Sequence, residues 1–518
     1  MRFSVWAPRA GRVELQLHGT RSDMRQAGDG WWEVEAAAAM GADYGFRLDG
    51  GEPLPDPRSR WQPHGVHGLS RLLDHGAFRW TDAGWRGVRL ADAVIYEVHV
   101  GTFTPGGTFE SVIERLDHAA GLGVNVIELM PVAEFAGERG WGYDGVDLWA
   151  PHHAYGGPEG LKRLVDACHT RGLAVVLDVV YNHLGPEGSY LERFGPYLTD
   201  RHRTPWGMAV NFDGRDSRPV RDFGIQNAVA WLRDYHLDGL RLDAVHAIVD
   251  TSRPHILEEL AARIHALRPP RFVVAEKPSI DLELLGMGLD GQWADAFHHA
   301  LHVLLTGERS GYYARYRSVA DLAAALLAPA RLGVDAAHVV AYAQNHDQVG
   351  NRAAGERLSM LVDENRLRLA AALLTSSPFV PLLFMGEEWA AGTPFLFFSD
   401  HRDPAIARAT SRGRMREFEG FGWRAEEVPD PQDRAAFESS RLDWSELSRE
   451  PHRSLLEWHR GLLRLRRATP QLRTGEPVSV EHDDLRRRLV MTRGPVQVAC
   501  DFVSGRATVR SGKRLRWE

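Results

Sequence analysis

The sequence predicts an α/β fold: a (β/α)8 TIM barrel with an N-terminal β-sandwich and a small C-terminal β domain. Three observations support this prediction. Apolar residues alternate with polar ones near the N-terminus, apolar runs alternate with amphipathic helices in the middle, and alternation returns after residue 478. With 518 residues the chain has room for about two to four domains. We place them at residues 1–90, 91–470 and 471–518.

The first ninety residues are typical of a β-sandwich. Phe3 and Val5 alternate with other residues, and the same spacing recurs at Trp32 and Val34. Gly and Asp clusters at residues 28–30 and 49–51 predict turns. A helical lobe is disfavoured because no 3.6-residue period runs through the segment.

Seven clear strands and one faint strand are predicted in the middle of the chain. The clear strands lie at residues 93–100, 124–129, 174–180, 239–243, 271–275, 339–343 and 379–384. Gly and Asp dilute the faint one, at 289–293. Helices are predicted at residues 109–122, 159–171, 226–236 and 254–267. Alternating strands and helices favour a parallel sheet, and the lack of a Gly-x-Gly-x-x-Gly segment after the first strand argues against a dinucleotide-binding fold.

The remainder of the chain predicts an excursion, a closing helix and a β domain. Residues 402–443 are rich in charge, Pro and Gly, which favours a long excursion from the barrel. The helix at 454–467 should close the barrel domain. Alternating apolar residues between 478 and 509 predict the short C-terminal β domain.

Composition excludes several classes of partner. The formal net charge of -7 provides no cationic field for nucleic acid or an anionic membrane surface. No apolar run approaches the length of about 18 residues that spans a bilayer. Cys168 and Cys500 are the only cysteines, too few for a disulfide framework. Without a signal-like N-terminus, we predict a cytoplasmic location.

Acidic residues follow one predicted barrel strand after another. The third strand runs into Asp178 and the fourth into Asp243, Glu276 follows the fifth, and Asp347 comes just after the seventh. Barrel enzymes carry their reactive groups at these strand ends. Packing does not explain this arrangement, because unpaired buried charges cost several kcal/mol each.

Paired carboxylates are what glycoside hydrolysis requires. Arg241 points to the same face as Asp243, two residues later, and would keep that carboxylate ionised as a nucleophile. Glu276 follows the apolar residues 272–275, whose surroundings favour the protonated form that a general acid needs. Asp347 could hold sugar hydroxyls and stabilise the transition state. We therefore predict retention of anomeric configuration, with the two carboxyls about 5–5.5 Å apart.

Aromatic residues and histidines add candidates of unequal weight. Trp141, Trp206 and Phe297 could stack on sugars, but each is more often a packing residue; Tyr143, in the Gly-flanked loop 140–145, is the better candidate. His298 and His299 are adjacent, and neighbouring residues seldom present both rings to one ion. We predict no metal and no cofactor.

These segments resemble the α-amylase superfamily of glycoside hydrolases and, within it, the malto-oligosyltrehalose trehalohydrolase family. The segments that carry the resemblance are Asp-Val-Val-Tyr-Asn-His at 178–183, Gly-Leu-Arg-Leu-Asp at 239–243, Asn-His-Asp-Gln-Val-Gly-Asn-Arg at 345–352, Leu-Pro-Asp-Pro-Arg-Ser-Arg-Trp at 54–61, Glu-Leu-Met-Pro-Val-Ala-Glu-Phe at 128–135, Trp-Gly-Tyr-Asp-Gly at 141–145 and Leu-Phe-Met-Gly-Glu-Glu-Trp at 383–389.

The resemblance implies Asp243 as nucleophile, Glu276 as proton donor and Asp347 as transition-state stabiliser. It implies cleavage of the α-1,4 bond next to the trehalose end of malto-oligosyltrehalose or a related α-glucan, and a functional pairing with malto-oligosyltrehalose synthase. The N-terminal sandwich would be immunoglobulin-like and glucan-associated. The predicted sugar contacts are Tyr143, His183, Arg241, His246, Asp295, His298, His299, His346, Gln348 and Asn351.

One departure and two alternatives remain. Lys277, Pro278 and Ser279 follow Glu276, where the family tends to continue Ser-Asp-Leu, and this puts contacts on the leaving-group side in doubt. A 1,4-α-glucan branching enzyme shares the domains and the nucleophile but transfers the sugar chain to another sugar. A non-catalytic glucan-binding protein should have lost at least one of the three acids.

Overall fold

The N-terminal residues form two antiparallel sheets. The structure, a computed structural model, describes residues 1–419, 428–473, 475–512 and 514–517. One sheet contains Arg2–Trp6, Trp31–Glu35 and Arg25–Gly28 in that order, and the other Thr20–Asp23, Val13–Leu17, Asp43–Leu48 and Ser70–Arg71. Alternation predicted strands in this segment correctly, because the first strand buries one face: Phe3 and Val5 are buried while Arg2 and Ser4 are exposed.

Within the described residues, eight parallel strands form a closed barrel, as predicted. In order around the barrel they are Ile95–Val98, Val126–Leu129, Ala174–Val179, Gly239–Leu242, Phe272–Ala275, Gly291–Trp293, Val339–Tyr342 and Val380–Phe384. Every residue of these strands is buried, which explains their continuous apolar runs. The faint sixth strand is present and is the shortest.

Helices surround the barrel, and two predicted boundaries were wrong. The helix expected at 109–122 is two helices, because Arg115 leaves helical geometry between them. The helix expected at 226–236 begins at Ser217. Pro219 lies in its first turn, where a missing N–H is tolerated, so a residue that usually breaks helices concealed the start.

The α-helices, in chain order, are Val100–Phe103, Phe109–Ile113, Leu116–Leu122, Gly157–Thr170, Leu191–Phe194, Ser217–Asp234, Ile256–His265, Leu282–Gly286, Asp295–Thr306, Val319–Leu332, His346–Gly350, Leu358–Leu361, Glu364–Ser376, Pro404–Glu419, Arg434–Ser439, His452–Ala468 and Pro470–Arg473. In the described part of the chain, none of them combines the length and apolar character that crossing a membrane requires.

Two short hairpins and a C-terminal sheet complete the strands. The hairpins pair Ala133–Glu134 with Asp147–Pro151 and Leu198–Thr204 with Gly207–Val210. The C-terminal antiparallel sheet contains Ser479–Asp483, Arg488–Arg493, Val496–Asp501, Arg506–Ser511 and Arg514–Trp517. Buried Arg466 and Arg493 both donate to the Ser377 carbonyl, which connects the closing helix and this sheet to the barrel. The domain bounds themselves remain predictions.

The predicted excursion between the barrel and the closing helix reaches back towards the carboxyl ends of the barrel strands. Part of it, residues 420–427, lies outside the described residues. Its helix Pro404–Glu419 brings the buried side chain of Arg414 to the carbonyl of Gly350 and to Asn351 Oδ1, which lies 2.9 Å from Arg414 Nη1. The excursion therefore contacts the segment that follows the seventh strand.

The loop between the first hairpin's strands depends on a glycine. Gly142 has a φ of +99°, and a Cβ there would lie 2.0 Å from the Pro131 carbonyl oxygen. Gly121, in the helix Leu116–Leu122, has ordinary φ and open space around its Cα. The two glycines therefore form a matched pair with opposite expectations.

We expect Gly142→Ala to lower the free energy of unfolding by about 2–4 kcal/mol, because strain and overpacking act together. Gly121→Ala should leave it unchanged or raise it by up to about 1 kcal/mol, since Ala is the better helix former. The thermal unfolding midpoint measures both. Equal midpoints for the two variants would contradict the described loop geometry.

Candidate active site

Inward-facing residues of the barrel strands change from apolar to charged towards the carboxyl ends. Ile95, Val126, Val176, Phe272 and Val274 belong to one buried cluster inside the barrel. Strand side chains alternate, so the residue two positions further along each strand faces the same way. These next inward positions are Glu97, Glu128, Asp178, Glu276 and, on the fourth strand, Arg241 followed by Asp243. The strand period thus places the predicted acids at one end of the barrel.

The guanidinium of Arg241 connects three of these carboxylates. It is fully buried, and its Nη1 donates to Asp178 Oδ2 at 2.6 Å and to Asp243 Oδ1 at 3.0 Å. Its Nη2 lies 3.1 Å from Glu276 Oε2. Burial opposes the charged form, but the surrounding acids raise the pKa of Arg241 well above its ordinary value. Asp243 and Glu276 are therefore held on the same side of the barrel by one permanent cation.

Strand register explains why these two acids meet. Leu242 is aligned with Ala275 across the fourth and fifth strands, so the next residues, Asp243 and Glu276, lie opposite each other. Asn182 donates to Asp243 Oδ2 at 2.7 Å, and the Ala244 N–H donates to Glu276 Oε2 at 2.6 Å. Both side chains keep some access to solvent, 11% for Asp243 and 23% for Glu276, so a substrate can reach them.

Ala244 occupies a left-handed conformation, with a φ of +40°. Such a conformation costs about 1–2 kcal/mol for a residue other than Gly. In return, the turn directs its N–H group at Glu276. This is local backbone strain next to a reactive group, a place where strain is often stored.

A second charged group lies across the barrel from Arg241. His346 Nδ1 contacts Glu97 Oε1 at 2.5 Å, and its Nε2 lies 3.5 Å from Asp347 Oδ2 and 2.7 Å from the Tyr143 hydroxyl. Burial opposes protonation of His346, but Asp347 and Glu97 raise its pKa to about 9. At neutral pH both Arg241 and His346 are therefore charged in this site.

Two further acids, Asp178 and Asp295, have raised pKa values. Burial raises the pKa of Asp178 to about 7, in spite of the favourable charge of Arg241. Burial and the charges of Glu276 and Asp347 raise the pKa of Asp295 to about 6, although the Tyr342 hydroxyl donates to it. Asp295 therefore interacts electrostatically with two of the three predicted catalytic acids, Glu276 and Asp347.

Most of the other predicted sugar contacts lie around this group. Tyr143 donates to Asp178 Oδ2 at 2.5 Å, and the ring of His183 stacks on half-exposed Trp206. Asn351 donates to Asp347 Oδ1 at 3.2 Å. The structure brings Tyr143 next to Asp178 and Asn351 next to Asp347, and their role as sugar contacts stays a prediction.

Four predicted contacts need separate description. His299 packs against Tyr312, whose hydroxyl donates to Gln348 Oε1 at 3.4 Å. His246 is exposed in the turn after the fourth strand. His298 is buried, and the Ala343 carbonyl and the Tyr313 hydroxyl occupy its two nitrogens, so it is not placed to bind sugar directly.

Two of the three aromatic residues that were expected to be packing residues are buried, and the third, Trp206, is not. Trp141 is buried against Phe395 and donates to a carbonyl, and Phe297 packs in the core. Trp206 and Tyr312 remain 49% and 40% exposed. These two rings are open to a ligand.

Sequence reasoning missed two acidic side chains of the barrel interior. Glu97 lies inside the first apolar run, where its spacing of two residues from Ile95 could have revealed it. Glu128 is the first residue of the segment 128–135 that carries the family resemblance, but the sequence did not predict that its side chain faces the barrel interior. It is buried, neither carboxyl oxygen has a hydrogen bond among the described residues, and burial with its acidic neighbours raises its pKa well above the ordinary value.

The segment after Glu276 is ordered by its own contacts. Lys277 pairs with Asp281, which caps the helix Leu282–Gly286. The Pro278 carbonyl accepts a hydrogen bond from the Asp295 N–H at 3.2 Å. This main-chain hydrogen bond connects the loop after the fifth strand to Asp295.

We expect His346→Gln to destabilise the protein most below pH 6.5. Unfolded histidine titrates near pH 6.5. With a folded pKa raised to about 9, the stabilisation from charged His346 is complete below that pH and disappears as pH rises towards 9. The deficit in free energy of unfolding should reach about 3 kcal/mol at low pH. Urea unfolding between pH 5.5 and 9.5 measures it.

The exposed His482 provides the control for this experiment. His482→Gln should give no such pH-dependent deficit. A deficit for His346→Gln that stays constant across the range would show that histidine charge is not responsible.

Comparisons with known proteins agree with this geometry. Residues 64–209 match the model of the alpha amylase catalytic domain. A malto-oligosyltrehalose trehalohydrolase of Rhizobium sp. (strain M-11) is 48% identical, over 97% of this chain and 91% of that protein. A 1,4-alpha-glucan branching enzyme of Ralstonia nicotianae is more distant, at 31% identity over 75% of this chain and 57% of its own length.

Among solved structures, a candidate α-amylase from Salmonella typhimurium superposes with a TM-score of 0.87 at 38% identity, covering 98% of this chain and 91% of that one. Sequence and structure therefore agree over nearly the whole length. The chain belongs to the malto-oligosyltrehalose trehalohydrolase family.

Proposed function

We propose that this chain hydrolyses the α-1,4 bond next to the trehalose end of malto-oligosyltrehalose with retention of configuration. The observation that carries the proposal is the contact of one buried guanidinium, Arg241, with both Asp243 and Glu276. Two carboxylates so placed at neighbouring strand ends are the machinery that retaining glycosidases use. Family membership supplies the substrate class.

In the first step, Asp243 attacks the anomeric carbon of the malto-oligosyl chain. Arg241 and Asn182 stabilise its ionised form by charge and hydrogen bonding. Glu276 gives its proton to the glycosidic oxygen, and that bond breaks. Trehalose leaves with the proton on its 4-hydroxyl, and the malto-oligosyl chain stays covalently bound to Asp243.

In the second step, Glu276 acts as a base. It takes a proton from water, whose oxygen attacks the anomeric carbon and breaks the bond to Asp243. The products are a malto-oligosaccharide and the original enzyme, with Asp243 ionised and Glu276 protonated again. The Ala244 N–H bonded to Glu276 would hold its carboxyl in place through both steps.

Excess negative charge should stabilise both transition states. The sugar ring gains positive oxocarbenium character in each step. Asp347 is 33% exposed, contacts charged His346, and can accept hydrogen bonds from sugar hydroxyls. Asp295 adds a second acidic group on the same side.

Exposed aromatic rings are placed to bind the glucan. Trp206 stacks on His183, and Tyr312 packs on His299, so each ring has one face supported by protein and is partly open to solvent. Flat apolar faces of this kind suit the apolar faces of glucose rings. They support the assignment of an oligosaccharide rather than a small substrate.

The family resemblance supports a supply of substrate by malto-oligosyltrehalose synthase. From the sequence pattern we also propose a cytoplasmic location and domains at residues 1–90, 91–470 and 471–518. The N-terminal sheets would form an immunoglobulin-like, glucan-associated domain.

Product analysis tests the proposed substrate. Maltotriosyltrehalose should release trehalose and maltotriose, while maltopentaose should be cleaved at least about 10-fold more slowly, because it lacks the trehalose leaving group. Chromatography of the products measures both. New α-1,6 branches on amylose would instead indicate a branching enzyme.

We expect Asp243→Asn to reduce kcat by roughly 10⁴-fold or more, because an amide cannot form the glycosyl intermediate. Binding of maltotriosyltrehalose, measured calorimetrically, should survive. Glu283→Gln is the control, since Glu283 is an exposed carboxylate in the short helix Leu282–Gly286 that follows the same fifth strand. An unchanged rate for Asp243→Asn would remove this residue from the nucleophile's role.

A further inference from the structure

A cluster of metal-ligating side chains lies outside the acidic site. Glu134 ends the first strand of the short hairpin, and His152 and His153 follow its second strand, Asp147–Pro151. The two strands are paired, so main-chain hydrogen bonds fix the three residues relative to one another. The main-chain N–H of His152 also donates to the Val132 carbonyl, at 2.7 Å, so the residue that follows the second strand is tied to the first strand's side of the hairpin.

The distances suit a single ion. Glu134 Oε1 lies 3.2 Å from His152 Nδ1 and 2.7 Å from His153 Nδ1, and the three atoms all lie within 4.8 Å of one another. Tetrahedral zinc with bonds of about 2.0–2.1 Å separates its ligand atoms by about 3.3 Å. Only small side-chain movements would bring all three atoms to bonding distance.

His152 is the member of the cluster whose ring nitrogens have no hydrogen-bond partner among the described residues. A bond from His153 to Glu134 satisfies that pair. The side chain of His152 is completely buried, and neither of its ring nitrogens forms a hydrogen bond with any described residue. An unsatisfied buried nitrogen costs about 1–3 kcal/mol. Stacking on Phe135, at 3.8 Å between ring centroids, keeps Nδ1 directed at Glu134.

We propose that Glu134, His152 and His153 bind one Zn²⁺ ion. Two imidazoles and a carboxylate are ligands that this ion prefers, and the His153 side chain is 24% exposed, which leaves water access to a fourth position. The other carboxylate oxygen, Glu134 Oε2, accepts a hydrogen bond from the main-chain N–H of His153 at 2.8 Å, and this bond orients the carboxylate.

This site would close the base of a loop that reaches the acids. Residues 135–146 connect the two hairpin strands, and Tyr143 in this loop contacts both Asp178 and His346. A bound ion would hold the two ends of the loop together. It touches none of the proposed catalytic acids, so this inference stands independently of the proposed function. The proposal departs from the prediction of no metal, which was made in part because adjacent histidines seldom present both rings to one ion. His152 and His153 are adjacent, yet the Nδ1 atoms of both lie near Glu134 Oε1, at 3.2 and 2.7 Å.

Calorimetric titration of the chelator-treated full-length chain with ZnCl₂ tests the proposal. We expect one ion per chain with a Kd below about 1 μM, and a Kd at least 30-fold higher for His153→Ala. Partly exposed His153 is chosen because its loss should leave the fold intact, which circular dichroism checks. His202→Ala, which removes a similarly exposed histidine beside Asp213, should bind as the wild type does.

Two further measurements separate this site from others. Co²⁺ in place of Zn²⁺ should give tetrahedral visible absorption bands that disappear in His153→Ala. Zn²⁺ binding should be unchanged in Asp243→Asn, because the ion does not sit among the catalytic acids. Loss of binding in Asp243→Asn, an unaltered Kd in His153→Ala, or no binding at 100 μM Zn²⁺ would each overturn the proposal.

Discussion

The position of one guanidinium inside the barrel determines the arrangement of the proposed catalytic site. Arg241 is completely buried, and removing a charge from water is tolerated only when its partners replace that hydration. Asp178 and Asp243 accept its hydrogen bonds, Glu276 lies against its second nitrogen, and the ring of Trp293 lies 4.3 Å from it. Each acid is thereby held in a position that depends on the others.

This arrangement leaves more acids than bases at the carboxyl end of the barrel. Among the described residues, seven carboxyl groups lie around the two cations, and they are Glu97, Glu128, Asp178, Asp243, Glu276, Asp295 and Asp347. Burial offsets part of the excess, because it raises the pKa of Asp178 to about 7 and the pKa of Glu128 well above its ordinary value. What remains is a negative region, suited to a reaction in which a sugar ring becomes positively charged. The substrate itself can be neutral, because the positive charge that this region stabilises develops only during the reaction.

Periodicity predicted the architecture and the three acids, but not their partners. Apolar runs reveal barrel strands because both faces are covered, and strand ends show where reactive groups lie. Glu97 was missed because the sequence alone does not show whether a single acid within an apolar run faces the barrel interior or the surrounding helices. The role of His298 could not be read from its type either, since Ala343 and Tyr313, which occupy its nitrogens, come from other parts of the chain. His152 and Glu134 likewise meet only through a hairpin whose loop is long.

The left-handed turn at Ala244 has a consequence for how this site tolerates change. Its main-chain N–H, and not a side chain, orients Glu276. Which residues are tolerated at position 244 is therefore limited by their ability to adopt a positive φ and not by the polarity of their side chains. Gly or Asn could replace Ala there and preserve the donor, whereas Val or Ile would resist the required φ and turn the amide away. A homologue carrying a β-branched residue at this point would need another donor for its acid.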